Sequence, residues 1–211
     1  MNGAATQATV LSPRPRRQSW FWVVGGIVVA AAVVVAVLSW SRTTVTPGED
    51  SAEAGFARDM ITHHEQAVKM ALLVRDRTAE PLVRSFATDI ILTQTNQMGQ
   101  MMGWLDVWGL PLTGLERPMT WMGHGSQPMP GLASPAELAE LSNLTGVEAE
   151  VLFLQLMIRH HLGGIPMARA ILEQSEHPVT SRLATSIINA QQIEVDIMAE
   201  MLAERGAEPL E

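Results

Sequence analysis

The chain has 211 residues, of which 14 are basic and 22 acidic, with no cysteine and a hydrophobic fraction of 47%. Residues 1–48 hold four arginines and no acids, so 49–211 hold ten basic and 22 acidic residues, a balance of −12 that disfavours nucleic-acid binding, which needs a basic footprint to replace phosphate counterions. Absence of cysteine excludes disulfides and thiolate metal sites, whereas methionine is abundant: there are 13, and all but Met1 lie between Met60 and Met201.

The hydrophobic fraction is inflated by one segment. From Trp20 to Trp40 no residue is charged, and at about 1.5 Å per residue the run is long enough to cross a hydrocarbon core of roughly 30 Å as a helix. Trp20, Trp22 and Trp40 stand at its ends, where indole rings favour the interface. Arg14, Arg16 and Arg17 precede it, so the positive-inside rule places residues 1–19 in the cytoplasm, residues 20–40 across the cell membrane as a single-pass anchor, and the remainder outside the cytoplasm. A cleaved signal peptide is the competing reading; its apolar core is normally shorter, and no small-x-small site follows Leu38 cleanly.

Residues 41–49 are a polar linker ending near Pro47-Gly48. Asp50 and Glu53 have capping-box spacing, and helical periodicity then runs to about Arg77. Glu80-Pro81 opens a second helix, with proline in the first turn where its missing N–H costs nothing, and Gly109 with Pro111 ends it after Trp108. Residues 56–109 align without a gap on 153–206 at an offset of 97, with sixteen of 54 positions identical. The second copy repeats the architecture: Thr145 and Glu148 with capping-box spacing, a helix to about Glu176, Pro178 opening the last helix, Gly206 and Pro209 closing it. Residues 110–146 join the copies, with a short helix expected where Ser134 caps and Pro135 enters. Two hairpins that cannot bury their apolar stripes alone predict an all-α four-helix bundle over 50–209, the joining segment long enough for a ferritin-type crossover.

At about 100° per residue, Phe56, Met60, His63, His64, Ala67, Met70, Ala71 and Val74 share one helix face, as do Phe153, Met157, His160, His161, Gly164, Met167, Ala168 and Ile171. The partner helices direct Ile90, Gln94, Gln97 and Met101, and Ile187, Gln191, Glu194 and Met198, toward the same interior. Neutral imidazole and thioether are soft-to-borderline donors, and thioether selects Cu(I) over Mg, Ca or Mn. Di-iron bundles use Glu and Glu-x-x-His, whereas here the pattern is Met60-x-x-His63 and Met157-x-x-His160. The candidate metal ligands are therefore His63, His64, His160, His161, Met60, Met70, Met157 and Met167, with Glu194 as the one carboxylate, facing Gln97 in the other copy. Pro166 is expected to kink the helix beside the second histidine pair.

The alternative is a structural or interaction bundle in which Gln94, Gln97, Gln191 and Glu194 satisfy buried imidazoles without metal. A redox-metal enzyme needs an open coordination position, and no nucleophile–base constellation or cofactor motif accompanies the histidines. Met119, Trp121, Met122, His124 and Met129 in the joining segment form a further cluster of ligand types, read as a lid over the bundle.

Phe56-x-x-x-Met60-Ile-x-His63-His64 with Met70-Ala71, its repeat at Phe153, and Met129-Pro-Gly between them resemble the domain of unknown function 305 (DUF305) family over residues 52–206. The resemblance implies a ferritin-like four-helix fold and, for some members, export and copper binding or tolerance. This chain departs from the small Gly-Ala pair usual after the histidines, having Glu65-Gln66 in one copy and Leu162-Gly163 in the other, so the two half-sites are not expected to be equivalent.

Overall fold

A computed structural model describes residues 17–40, 46–123 and 128–210. Residues 1–16 of the segment 1–19 expected in the cytoplasm, most of the linker and His124 lie outside the described residues. Two compact units divide the chain, 1–45 and 46–211.

The first unit is helix α1, Arg17–Trp40. Its side chains are described from Trp20 to Val34 and are exposed. Among the described residues, no helix is long and apolar enough to cross a membrane; the backbone of α1 continues helically to Trp40, where the side chains are not described.

The second unit holds α2 (Ala52–Arg75), α3 (Pro81–Val107), a 3₁₀ turn (Thr120–Met122), α4 (Pro135–Asn143), α5 (Gly146–Gln174) and α6 (Pro178–Glu204), with no strand among the described residues. α2 packs on α3, α5 on α6, and the hairpins join through α2 and α5. Pro81, Pro135 and Pro178 all sit in first turns, as expected. Gly109 and Gly206 take φ of 70° and 65° in matching terminal turns, where Leu110 N–H donates to Leu105 and Ala207 N–H to Leu202. Ser134 and Glu137 form a reciprocal capping box.

Two caps differ from the sequence expectation. Ser51 rather than Asp50 caps α2, accepting from Ala54 N–H, because the helix starts one residue later. Thr145 precedes α5 without a side-chain bond; its backbone instead leads into Gly146, whose N–H donates to Arg77 O and so ties α5 to the end of α2. α5 runs as one helix through Pro166.

The repeat extends into the ends of the bundle. Thr78 donates to Glu150, and the residues 97 positions away, Ser175 and Glu53, form the same clasp at the opposite end. Between these ends the core is layered. One apolar cluster takes Met70 and Val74 from α2, Ile90 from α3, Phe153 and Met157 from α5, and Met198 from α6. The other takes Phe56 and Met60 from α2, Met101 from α3, Met167 and Ile171 from α5, and Ile187 from α6. The positions between them on all four helices are polar: His63, His64, Gln94, Gln97, His160, His161, Gln191 and Glu194. A hydrophilic layer is thus sealed between two apolar ones.

Candidate functional site

All four histidines of the layer are fully buried. Burial is affordable to an imidazole only when its N–H finds an acceptor, and each finds one through Nε2. His63 Nε2 donates to Pro130 O at 3.1 Å and His160 Nε2 to His63 O at 2.8 Å. His64 Nε2 donates to Gln97 Oε1 and His161 Nε2 to Glu194 Oε2, both at 2.7 Å. A carbonyl oxygen can only accept, so the proton resides on Nε2 and the Nδ1 atom carries a bare lone pair. The Nδ1 atoms of all four are buried with no hydrogen-bond partner in the protein.

Burial also keeps His63, His64 and His160 from charging. It pushes His63 down to about 4 and His64 to about 3, and holds His160 well below the ordinary histidine value, each further depressed by neighbouring histidines. The two copies meet ring to ring: His63 and His160 lie with centroids 3.7 Å apart and planes 34° from parallel, a contact that two imidazolium cations would not tolerate.

The polar partners divide unevenly. Gln97 and Glu194, equivalent in the repeat, each hold one imidazole, one through a neutral amide and the other through a carboxylate. Gln94 and Gln191, also equivalent, hold neither; both amide heteroatoms of each are buried and unpartnered. The Gln191 amide lies over Gly164, where a Cβ would stand 2.8 Å from its Oε1 and 3.1 Å from His63 Cε1.

Of the expected thioethers, Met60 and Met167 belong to the apolar cluster on one side of the layer and Met70 and Met157 to the cluster on the other, all fully buried. The helices therefore bring the four histidines into one layer and split the methionines into pairs flanking it. Among the described residues, no three histidine or carboxylate side chains converge as a ready-made metal cage.

Sequence reasoning missed how the crossover closes the layer. Pro130 O is the acceptor for His63, Gly131 has φ of 78°, and a Cβ there would lie 2.5 Å from Arg159 O. Gly163 admits this segment: a Cβ on it would lie 2.3 Å from Pro130 O. On the α2 side Gln66 grips Ala133 through both its amide groups, at 2.6 and 2.9 Å. Gln66 and Gly163 are equivalent positions, so the break in repeat symmetry after the histidines is the docking of one extended segment between two helices. Gly163→Ala is expected to cost about 1–3 kcal/mol through overpacking against rigid backbone. Gly99→Ala, on the exposed face of α3 with open space around it, should instead stabilise by about 0.5–1 kcal/mol; urea denaturation of the two variants measures both signs.

Asp59 was also missed. It is buried, accepts from Met119 N–H at 2.7 Å and Trp121 Nε1–H at 2.8 Å, and burial raises its pKa. The signal was present in the repeat, which has Leu156 at the equivalent position.

A sequence model of the family described as Domain of unknown function (DUF305) matches residues 53–202. The fold is similar to a crystal structure of a DUF305 protein from Streptomyces coelicolor described as secreted, 51% identical with a TM-score of 0.75 over 78% of this chain and 99% of that chain. A DUF305 fragment from Deinococcus radiodurans is 38% identical, with a TM-score of 0.63 over 72% of this chain and 96% of that chain. CopM in its Cu(I)-bound form is 22% identical, with a TM-score of 0.58 over 72% of this chain and 96% of that chain, a likeness of fold alone. Uncharacterized protein L153 of Acanthamoeba polyphaga mimivirus is 37% identical over 51 residues, 24% of this chain and 34% of that protein, so the match spans about a third of the viral protein.

Proposed function

This chain belongs to the DUF305 family, and from that premise and the state of its buried imidazoles we propose that the bundle is an extracytoplasmic copper-binding domain. The observation that carries the reading is the shared tautomer: four Nε2–H groups held by oxygen acceptors and four Nδ1 lone pairs buried without partners. Metal-ligating histidines have this arrangement, with the outer N–H donated to a carboxylate or carbonyl that fixes the ring and raises its basicity. His63, His64, His160 and His161 would supply Nδ1, with Met60, Met70, Met157 and Met167 as thioether donors from the flanking layers. Neutral nitrogen and thioether together suit Cu(I). Glu194 acts through His161 rather than as a ligand of its own. CopM, of the same fold, has Cu(I)-bound, Cu(II)-bound and Ag-bound structures; the donor chemistry of this chain supports the metal reading.

A second reading, a structural bundle with a hydrogen-bonded histidine core, draws on the lack of three converging ligands among the described residues. Thermal unfolding separates the two. Ligand binding to the native state alone stabilises by about 2.7 kcal/mol at a hundredfold excess over Kd, so micromolar Cu(I) should raise the melting temperature of the folded domain. An unmoved melting curve, with folding confirmed by circular dichroism, leaves the structural reading.

The uncharged run Trp20–Trp40 behind Arg14, Arg16 and Arg17 supports a single-pass anchor holding the bundle outside the cytoplasm. Intact-mass analysis of the membrane fraction is expected to find an uncleaved N-terminus; a mature chain starting beyond residue 40 would mark the segment as a removed signal.

A further inference from the structure

The two hairpins end in the same glycine turn with opposite surfaces. After α3 the turn is Val107-Trp108-Gly109-Leu110-Pro111-Leu112, and after α6 the equivalent positions are Glu204-Arg205-Gly206-Ala207-Glu208-Pro209. From Val107 to Leu115 nine consecutive residues carry no charge, although residues 49–211 have a balance of −12. Val107 is 82% exposed, Leu112 58% and Leu115 93%, while Trp104, Trp108 and Leu110 pack partly buried against the core. Single exposed leucines on a surface need no explanation. An uncharged loop that exposes three large apolar side chains, where the equivalent turn is charged, does need one.

This apolar turn stands where the chain enters the bundle. Arg58 Nη2 lies 2.9 Å from both the Glu49 carboxylate and Pro111 O, and a Cβ on Gly114 would meet the same guanidinium at 2.6 Å. Arg58 therefore staples the loop to the first residues of the bundle. Further along, Asp59 accepts from Trp121 Nε1–H, and Gly55 admits the same indole, which a Cβ there would meet at 2.6 Å. The leucines are thus presented by a segment fastened to α2 on both sides of them. The charged turn lies at the other end, where Arg205 pairs with Glu150 beside Thr78. Only five residues, 41–45, separate Trp40 from Thr46. With Trp20–Trp40 across the membrane, as proposed above, an extended chain of that length keeps the entry to the bundle within about 20 Å of the end of the anchor.

We propose that Val107, Leu112 and Leu115 dock this end of the bundle on the surface of the lipid bilayer, entering the boundary between headgroups and acyl chains. Trp108, in the same turn, is of the residue type that favours this interface. The inference rests on the anchor reading, because a short tether holds the loop at high effective concentration beside the lipid and lets a weak contact persist. Asp106 and Glu116 bracket the uncharged run, so zwitterionic headgroups suit it better than anionic ones.

The chain has no cysteine, so single nitroxide labels can be introduced through Leu115→Cys, Leu82→Cys and Val28→Cys in the full chain, reconstituted in phosphatidylcholine nanodiscs. Leu82, 65% exposed in the first turn of α3 at the opposite end, is the aqueous reference, and Val28 reports on the anchor itself. Collision rates with oxygen and with a water-soluble nickel chelate read the depth of each label. The label at position 115 should favour oxygen several-fold over that at position 82, and adding Val107→Ser with Leu112→Ser should return it to the aqueous value. A label at 115 as aqueous as that at 82, with the label at 28 in lipid, overturns the docking and leaves the anchor standing. An aqueous label at 28 overturns the anchor reading and this proposal with it. A label at 115 that stays in lipid in the serine variant shows that the nitroxide, and not the loop, sought the bilayer, and overturns the docking as well.

Discussion

Changing His63 and His160 together to glutamine is expected to weaken Cu(I) binding by about 100-fold or more, since even loss of a histidine's outer hydrogen-bond partner costs about 10–100-fold. These two rings are the stacked pair at the junction of the copies, and each uses a backbone carbonyl to hold its Nε2 proton. Competition with a Cu(I) chelator measures the loss. A structural histidine core makes the opposite forecast: the substitutions alter metal-free stability and leave copper uptake intact. Glu194→Gln provides a finer contrast, because it turns the carboxylate behind His161 into the amide found behind His64. It should lower affinity by about tenfold through weaker ligand basicity, while Gln97→Glu raises it. Equal affinities in all three forms would show that the Nδ1 lone pairs of these rings are not used.

Much of this arrangement was legible in the sequence because it is local or repeated. The offset of 97, the prolines in first turns and the terminal glycines placed four helices, and helical periodicity put His63, His64, His160 and His161 on inward faces. It also placed four candidate partners in the interior, of which Gln97 and Glu194 hold imidazoles and Gln94 and Gln191 do not. One helical turn separates Gln94 from Gln97, and periodicity cannot tell which of two inward amides reaches a ring on another helix. What stayed hidden depends on segments distant in sequence. His63 finds its acceptor 67 residues away in Pro130 and His160 finds its own 97 residues away in His63. Asp59 and Gly55 looked like ordinary helix positions until the crossover was seen to lie on them; the repeat marked both, since leucines stand at their equivalents. The cap of α2 moved by the one-residue margin that competing polar side chains leave at any helix start, whereas Thr145 stands at the expected position without its side-chain bond.

Metal-free protein should lose stability steeply as pH falls below about 6.5. An unfolded histidine protonates near 6.5, whereas in the fold His63 is lowered to about 4, His64 to about 3 and His160 well below its usual value, burial being the main cause. Between those limits the unfolded chain binds protons that the native state refuses, so acid favours unfolding. Each such histidine contributes a slope of about 1.4 kcal/mol per pH unit, so His63 and His64 together approach about 3 kcal/mol per unit between pH 6 and 4, with His160 adding in the same direction, against a total of about 5–15 kcal/mol for a typical domain. The penalty is absent above pH 7 and stops growing, histidine by histidine, below each folded value. Other groups act in narrower windows. Glu137, lowered by its Ser134 and Arg159 partners despite burial, withdraws stability only as it protonates at lower pH. Asp59 works in the reverse sense, its raised value making protonation easier in the fold than out of it and so softening the acid loss. Urea denaturation of residues 46–211 from pH 8 to 4 measures the slope, and His64→Gln should reduce it by about 1.4 kcal/mol per unit. A stability flat from pH 7 to 5 would mean that the imidazoles charge freely in the fold, which a sealed polar layer between two apolar ones does not permit.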